Sequence, residues 1–76
     1  MEKVNVSRPP KYPVQTVEKA LAVFDLLSQD RYRDGISISE LSRELGLGKS
    51  TVNRILETMV AKKYILQQEK NKKYHL

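Results

Sequence analysis

The sequence predicts a mainly α-helical domain in which three helices are followed by a small antiparallel β hairpin. Three observations lead to this fold class. Apolar residues recur at helical spacing in three segments, a glycine-containing turn joins the second segment to the third, and the last residues form two short apolar runs around a polar turn. Seventy-six residues without a cysteine allow one domain with a small core and no disulfide.

Residues 1–13 differ in composition from the rest of the chain. They hold three prolines and three basic residues, namely Pro9, Pro10, Pro13, Lys3, Arg8 and Lys11. Proline removes a backbone donor and fixes φ, and this segment has little apolar surface to bury. We therefore expect a basic, flexible arm over residues 1–13 and a folded domain over residues 14–76. Such an arm can enter a minor groove, but a disordered leader is favoured.

The first helix is expected to begin at Val14 or Thr16 and to end at Ser28 or Gln29. Its apolar residues form two stripes instead of one. The stripe assigned to the domain core contains Val17, Ala20, Leu21, Phe24 and Leu27. The second stripe contains Ala22, Val23 and Leu26. A domain this small cannot easily bury both stripes, so we expect the second one to contact another copy of the chain, unless the helix is central to the core.

The second helix has a start signal in the sequence. Ser37 is followed three residues later by Glu40, the pattern of a capping box, and Ile38, Leu41 and Leu45 then provide an inner apolar face. Before it, the polar connector of residues 30–35 ends in a glycine, after which Ile36 and Ser37 could form a very short strand.

Residues 40–56 contain a tight turn between the second helix and the third. Gly46 can adopt the left-handed conformation that ends a helix, and Leu47 can point back into the core. The third helix is expected to begin near Lys49 and to bury Val52, Ile55, Leu56 and Met59. Its opposite face is polar and contains Ser50, Asn53, Arg54, Glu57 and Ala61.

The segment after residue 62 is expected to form the hairpin, with YILQQ and KYHL as strands and EKNK as the turn. Asn71 is the turn residue best able to accept a positive φ. Three lysines, Lys70, Lys72 and Lys73, lie in the turn and in the strand beside it. They can be DNA contacts, or they can simply keep an edge hairpin soluble.

Positive charge is confined to the second half of the chain. Residues 1–48 contain seven Lys or Arg and seven Asp or Glu, whereas residues 49–76 contain seven and two. The net charge of +5 therefore lies entirely on the third helix and the hairpin. Such clustering is typical of a surface that binds a polyanion, and nucleic acid is the leading candidate.

Together these elements resemble the N-terminal winged helix-turn-helix domain of the IclR family of bacterial transcription regulators. The turn carries the resemblance through Leu41, Ser42, Leu45, Gly46, Leu47, Val52 and Ile55, and the likeness covers roughly residues 14–76. Two positions depart from the family pattern. The family usually has proline where this chain has Gly48 and glycine where it has Lys63, which leaves the start and end of the third helix less well defined.

The resemblance implies duplex DNA as the partner, with the third helix in the major groove and the hairpin, or wing, on the flanking backbone. Lys49, Ser50 and Thr51 would contact phosphates, because they lie at the helix start. Asn53 and Arg54 are the expected base contacts, since asparagine can pair with adenine and arginine with guanine. The resemblance also implies a homodimer through the first helix. A small-molecule effector would bind a C-terminal domain that this chain lacks.

Other functions are less well supported by the sequence. Gly48-Lys49-Ser50-Thr51 resembles the end of a phosphate-binding loop, but its upstream glycine is replaced by Arg43. Lys49, Asn53 and Arg54 also resemble domains that bind Z-form nucleic acid, although Glu57 stands where those domains have tyrosine. A winged helix used only for protein interaction is a further alternative.

The sequence offers no catalytic group, no cofactor motif and no metal-ligand cluster, because it has no cysteine and only His75 as an imidazole. We therefore expect no enzyme activity and no cofactor. No apolar run has the length of a membrane span, and the N-terminus lacks the apolar centre of a signal peptide. We expect a cytoplasmic protein without a membrane partner.

Overall fold

Three helices and a two-stranded hairpin make up the fold. The computed structural model of the protein describes residue 9 and residues 11–76. Helix α1 spans Gln15–Leu27, α2 spans Ile38–Leu45 and α3 spans Lys49–Ala61, with a single 3-10 turn at Asp30–Tyr32. Strands β1, Leu66–Gln67, and β2, Tyr74–His75, follow. The winged helix-turn-helix architecture expected from the sequence is confirmed. The predicted arm of residues 1–13 falls largely outside the described residues.

The core lies where the three helices meet the base of the hairpin. All buried side chains are apolar or aromatic, and they come from every element except β1: Val23, Leu26, Leu27, Tyr32, Ile36, Leu41, Val52, Ile55, Leu56, Ile65 and Tyr74. No polar side chain among the described residues is buried without a hydrogen-bond partner. Burial of apolar area is therefore the main stabilising contribution to this small domain.

Helix α1 presents its two apolar stripes in the opposite sense to the prediction. Val23 is fully buried and Leu26 is 8% exposed, so they belong to the core and cannot form a dimer surface. Ala22, the third member of that stripe, is only partly buried and lines a cleft with Leu45 and Leu47. Of the stripe assigned to the core, Leu27 is buried and Ala20 packs against the core, but three members remain exposed: Val17 at 54%, Leu21 at 59% and Phe24 at 38%.

The reversal follows from which part of α1 the domain covers. The fully buried residues of α1 all lie in its C-terminal half, beside α2, α3 and the 3-10 turn. About 100° separates successive residues on a helix, so the two stripes lie side by side on α1. Both stripes consist of apolar residues. Periodicity shows that both exist, but only the packing of the other helices selects the one that is buried.

The connector and the start of α2 are held by local interactions. The Ser37 hydroxyl accepts a hydrogen bond from the Glu40 N–H at 3.1 Å, which confirms Ser37 as the N-cap of α2. Arg31 lies 3.6 Å from the Glu44 carboxylate and stacks over the ring of Tyr32. These contacts join the 3-10 turn to the outer face of α2, on which Glu44 lies.

A single residue adds a third, minimal strand to the hairpin. Ile36 and Tyr74 exchange two backbone hydrogen bonds of 2.9 and 2.8 Å, as the short strand predicted at Ile36 requires. Gly35 precedes this bridge with a φ of 108°, and a Cβ at that position would lie 2.9 Å from the Cβ of Lys73. Glycine is therefore required here by both the backbone conformation and the space.

The hairpin strands are shorter than the sequence suggested. Leu66 pairs with His75 and Gln67 with Tyr74 in antiparallel register, so each strand contains two residues. The prediction that Asn71 takes the positive φ is wrong, because Lys72 takes it, at 63°. The Asn71 side chain instead accepts a hydrogen bond from the Lys73 N–H at 2.9 Å. Asparagine stabilises this turn through its side chain and not through its own backbone conformation.

Helix α3 ends in a left-handed cap that is occupied by a lysine. Lys63 has a φ of 68°, and its N–H donates to the Val60 carbonyl at 2.9 Å. The N–H of Tyr64 donates to the Met59 carbonyl, also at 2.9 Å. This pair of hydrogen bonds is the Schellman arrangement, which usually has glycine at the left-handed position.

Replacing Lys63 by glycine should stabilise the domain. A left-handed φ costs a non-glycine residue about 1–2 kcal/mol, and glycine would remove this cost. Part of the stabilisation is offset because glycine has greater conformational freedom in the unfolded chain. We expect Lys63→Gly to raise the free energy of unfolding by about 0.5–1 kcal/mol, measured by urea denaturation. Lys62→Gly removes the same charge at a φ of −89° and is the control. Equal effects of the two variants would attribute the change to charge and not to backbone strain.

Candidate nucleic-acid interface

The turn between α2 and α3 fixes how α3 is presented. Gly46 has a φ of 66°, as predicted, and both its N–H and that of Leu47 donate to the Ser42 carbonyl. In return the Ser42 hydroxyl donates to the Leu47 carbonyl. Leu47 packs against the core, also as predicted. The turn is thus held by backbone and side-chain hydrogen bonds together, and it leaves little freedom for α3 to change its angle to α2.

The N-terminus of α3 is open to solvent. Gly48 is its N-cap and provides no side-chain hydrogen bond, and the first turn contains no acidic residue. Lys49 and Ser50 are exposed, and Thr51 is half-buried. The first N–H groups of a helix have no partner within the helix and carry partial positive charge. Lys49 adds a full positive charge at the same end, so this turn is electropositive.

The outward face of α3 has two flanks. Val52, Ile55 and Leu56 are buried, as predicted, and Asn53 and Arg54 lie on either side of the face directed away from them. Asn53 is half-buried, whereas Arg54 is exposed. These two predicted base contacts are adjacent in sequence, yet they point toward different neighbours.

The wing identifies the flank on which Asn53 lies. Glu57, one turn after Asn53, is close enough to Tyr74 of β2 for its charge to act on the phenol. Burial is the larger cause, and with the charge of Glu57 it raises the pKa of Tyr74 above its usual 10.0. Asn53 is therefore on the wing flank of α3. Arg54 is on the other flank, in a groove that α3 forms with Thr16 and Lys19 of α1.

The cations of α3 and of the wing are not neutralised within the domain. The ion pairs recorded among residues 11–76 join Arg31 to Glu44 and Arg33 to Asp30. Neither includes a basic residue of the second half of the chain. The lysines and arginine that carry the net charge are therefore available to an external anion.

The wing exposes two of its three predicted lysines fully. Lys70 and Lys72 are exposed at the turn, but Lys73 is half-buried because its side chain begins against Gly35. The turn itself is closed by hydrogen bonds from Lys72 N–H to the Gln68 carbonyl and from Gln68 N–H to the Lys73 carbonyl. The structure thus presents Lys70 and Lys72 in the turn of a closed hairpin, with Lys73 where the turn joins β2.

One group of residues beside α3 was not predicted from the sequence. Thr16 and Lys19 of α1 face Arg54 across the α1–α3 groove. Their spacing of three residues places them on one side of α1, at the border of the buried face. The sequence contains that signal, but the choice of the opposing helix depends on tertiary packing.

Comparison with known proteins identifies the domain. The sequence profile of the IclR helix-turn-helix domain matches residues 16–69, from the first turn of α1 to the wing turn. The chain belongs to the IclR family. Its match lies within the helix-turn-helix domain of IclR transcription regulators, which is a DNA-binding domain.

Relatives with assigned roles are transcription regulators. The chain is 36% identical over 63 residues to the HTH-type transcriptional regulator XynR of Escherichia coli (strain K12), a match that covers 83% of this chain and 24% of XynR. It is equally identical over 63 residues to the HTH-type transcriptional regulator KdgR of Dickeya chrysanthemi, covering 20% of that protein. The chain thus spans about a quarter or less of the length of these relatives, and their role is not an enzymatic one.

A solved structure has the same fold. The crystal structure of an IclR transcriptional regulator from Alicyclobacillus acidocaldarius superposes with a TM-score of 0.82 and 31% sequence identity. The match covers 86% of this chain and 26% of that one.

Within the described residues there is no helix with the length and apolar character needed to cross a membrane, and no cluster of side chains suited to a metal ion.

The two departures from the IclR pattern keep the backbone that the usual residues would adopt. Gly48 has a φ of −67° and a ψ of 151°, which is a conformation that proline favours. Lys63 has the left-handed φ that glycine accepts most easily. The fold therefore retains both backbone conformations without the residue best suited to either. Helix α3 ends at Ala61, a position that the sequence did not define.

Tyr74 should make the stability of the IclR domain fall at high pH. Its pKa is raised in the folded state, so folded Tyr74 holds its proton more strongly than unfolded Tyr74 does. Its contribution is fully present below the unfolded pKa of about 10 and is lost as the pH rises through the folded pKa. We expect the stability difference between the wild type and Tyr74→Phe to shrink over that range, measured by urea denaturation. A difference independent of pH between 9 and about 11 would contradict this assignment.

Proposed function

We propose that this chain binds duplex DNA sequence-specifically, as the DNA-binding domain of a bacterial transcription regulator. Helix α3 enters the major groove, and the wing lies along the flanking backbone. The observation that carries this proposal is the outward face of α3. This face contains Asn53 and Arg54 and begins at an electropositive N-terminus that has no side-chain cap. The turn between α2 and α3 is held by hydrogen bonds, which fix how this face is presented. An α-helix fits the major groove, and its first residues are the ones that reach the bases.

The first turn of α3 is proposed to bind phosphates. Lys49 and Ser50 are exposed there, and Thr51 is half-buried and lines the groove between α1 and α3. The unpaired N–H groups of this turn add donors without any loss of side-chain entropy. Such contacts set the position of α3 on the duplex and carry no sequence information.

Asn53 and Arg54 are proposed to contact bases. Asparagine can form two hydrogen bonds with adenine, and arginine can form two with guanine. Because the two side chains lie on opposite flanks of α3, they can contact bases at different positions along the groove. Asn53 is on the flank of the wing, and Arg54 is on the flank of α1.

The wing lysines are proposed to contact the sugar-phosphate backbone beside the major groove. Lys70 and Lys72 are exposed in the turn between two strands of two residues each, and Lys73, which is half-buried, follows them in the chain. Flexible lysine side chains without a fixed partner contribute charge more than geometry. Their contribution should therefore be similar on every DNA sequence.

The proposal is tested by selecting bound duplexes from a random pool with the 76-residue chain. We expect an enriched motif, and we expect the Asn53→Ala/Arg54→Ala double variant to lose the motif while it still binds DNA at low salt. A pool that stays random with the wild type would favour a winged helix used only for protein interaction. Enrichment of alternating purine–pyrimidine sequences in the Z form would favour the other alternative.

We also propose that the domain pairs with a second copy on DNA, through the exposed stripe of α1. This stripe consists of Val17, Leu21 and Phe24. It takes the place of Ala22, Val23 and Leu26, which the sequence pattern had assigned to the contact with another copy. Val14, which is 59% exposed, continues it toward the helix start. Residues three and four apart on a helix are neighbours, so these four side chains form one apolar strip. A two-fold pair would place its α3 helices for half-sites separated by a whole number of turns, roughly 34 Å each.

The wider setting of the regulator is proposed from its relatives. The matched relatives are bacterial transcription regulators and are four or more times longer than the match. We propose that a small-molecule effector acts through a part of the regulator outside this segment.

The cytoplasm is the proposed location because the bacterial chromosome is there. No cofactor is assigned to the domain.

Substitutions should distinguish base contacts from backbone contacts. Arg54→Ala or Asn53→Ala should each cost about 1–3 kcal/mol at the selected site and relax the preference at one base position, since a directional pair is lost. Lys72→Ala should weaken binding to selected and scrambled duplexes alike. It should also make the salt dependence shallower by about one unit on a log–log plot, because one fewer counterion is released.

Titration of each variant on both duplexes across a salt series measures these effects. Lys62→Ala is the matched control, since this exposed lysine lies beyond the C-terminal end of α3. Equal losses on both duplexes for Arg54→Ala and Lys72→Ala would show that α3 contacts only phosphate. The assignment of base contacts to Arg54 would then be wrong.

A charge in the exposed stripe of α1 should weaken DNA binding without any change at the DNA surface. Leu21→Glu should abolish cooperative pairing on a palindromic duplex, because a carboxylate would be buried between two copies. Gln15→Glu adds the same charge to α1 outside the stripe and should leave pairing intact. Sedimentation of free and DNA-bound protein gives the stoichiometry. One domain per duplex in the wild type would refute the paired arrangement.

A further inference from the structure

A groove of about 330 Å³ runs between α1 and α3. Its base is apolar and consists of Ala20, Ile55 and Met59. Its rim is polar and consists of Thr16 and Lys19 from α1 and of Thr51, Arg54 and Thr58 from α3. Every ionisable side chain that lines the groove is a cation, so the groove concentrates positive potential between two low-polarity walls.

Lys19 and Arg54 have no carboxylate to balance them in this groove. The ion pairs of the described residues involve neither of them. Two like charges facing one groove repel each other, and an anion between them would remove that repulsion. Lys19 is also half-buried and lines a second cleft on α1, so its aliphatic stem is packed while its ammonium group can turn toward the groove between α1 and α3.

Hydroxyl groups complete a set of donors around the groove. Thr58 is already engaged, because its hydroxyl donates to the Arg54 carbonyl at 3.0 Å. Thr16 and Thr51 make no side-chain hydrogen bond among the described residues, and they face each other from the two helices. Two hydroxyls, an ammonium group and a guanidinium group form the combination that recognises a phosphate.

The groove adjoins the proposed DNA surface on the side away from the wing. Thr51 belongs both to the groove and to the exposed first turn of α3. The wing lies on the opposite flank, where Glu57 acts on Tyr74. With α3 in the major groove, its two flanks face the two phosphate strands that border that groove. The wing lies on the flank that would face one of them.

We propose that Thr16, Lys19 and Thr51, beside Arg54, bind one backbone phosphate of the operator on the strand opposite the wing. This inference rests on the proposed function and adds α1 to the DNA surface. Inorganic phosphate has the same chemistry and could occupy the same groove, so the test must separate the two sources. The role of Lys19 is to anchor the duplex beside α3. Arg54 can then direct its guanidinium to a base and still contribute charge to the phosphate site.

Binding of Lys19→Gln to the selected duplex is the first measurement. One phosphate contact fewer should weaken binding roughly fivefold to tenfold near 0.1 M salt and reduce the log–log salt slope by about one unit, without changing the preferred sequence. Lys19→Arg keeps the charge and should restore affinity. Lys62→Gln removes a lysine about 20 Å along α3 from Lys49 and should change neither quantity.

The phosphate is located by replacing single duplex phosphates with uncharged methylphosphonates. One linkage in each half-site should weaken the wild type and have no further effect on Lys19→Gln, because both changes remove the same contact. A linkage coupled in this way identifies the anion as DNA. The inference is overturned if no linkage shows this coupling, or if Lys19→Gln matches Lys62→Gln in affinity and salt slope.

Inorganic phosphate provides the second arm. Its titration at constant ionic strength, followed by amide chemical shifts of Thr16 and Thr51, reports occupation of the groove by a free anion. Groove shifts without any coupled linkage in the duplex would identify a free-anion site and overturn the assignment to DNA. Failure of the wild-type chain to select any duplex refutes the proposed function itself. Normal selection with an unaffected Lys19→Gln refutes only the phosphate site.

Discussion

The hydrogen-bonded turn from Ser42 to Leu47 is the constraint on which the functional surface depends. It combines a left-handed Gly46, two N–H donors to the Ser42 carbonyl and a hydroxyl donor to the Leu47 carbonyl. Because Leu47 is also packed against the core, the turn cannot open without exposing apolar area. The position of α3, and with it every proposed base contact, follows from this local geometry. An eight-residue helix such as α2 would be marginal alone, so the turn and the core stabilise each other.

Much of this arrangement was predictable from the sequence because the determining signals are local. Gly46 could be assigned to a left-handed cap, Ser37 to an N-cap and Val52, Ile55 and Leu56 to a buried face, since each depends on residues within one or two helical turns. The same holds for the start of α3 at Lys49 and for the existence of a hairpin after residue 62. The contacts proposed for Lys49, Asn53 and Lys72 stay predictions until they are measured.

The errors concern choices between two acceptable outcomes that the sequence pattern alone does not decide. Val23 and Leu26 form as good an apolar stripe as Leu21 and Phe24, and only the packing of the other elements against α1 buries the first pair. In the wing turn, Asn71 has the higher intrinsic tolerance of a positive φ, yet Lys72 adopts the positive φ. The Asn71 side chain is used instead to accept a hydrogen bond from the Lys73 N–H. Lys19 and Arg54 are thirty-five positions apart, and no sequence spacing relates them. In each case a short-range preference was correct but did not decide between two acceptable outcomes.

The single bridge between Ile36 and Tyr74 has a consequence for how the domain can meet duplexes of different shape. Together with the buried side chains of Ile65 and Tyr74 and a hydrogen bond from the Gln68 side chain to the Asp34 carbonyl, this bridge holds the base of the hairpin to the rest of the domain. Gly35 lets the two backbones approach closely, and the short hairpin beyond it carries Lys70 and Lys72 on its outer end. In the proposed complex the base of the wing is therefore fixed relative to α3. Adjustment to differences in groove width would fall to the long side chains of Lys70 and Lys72, which can reach phosphates at different distances.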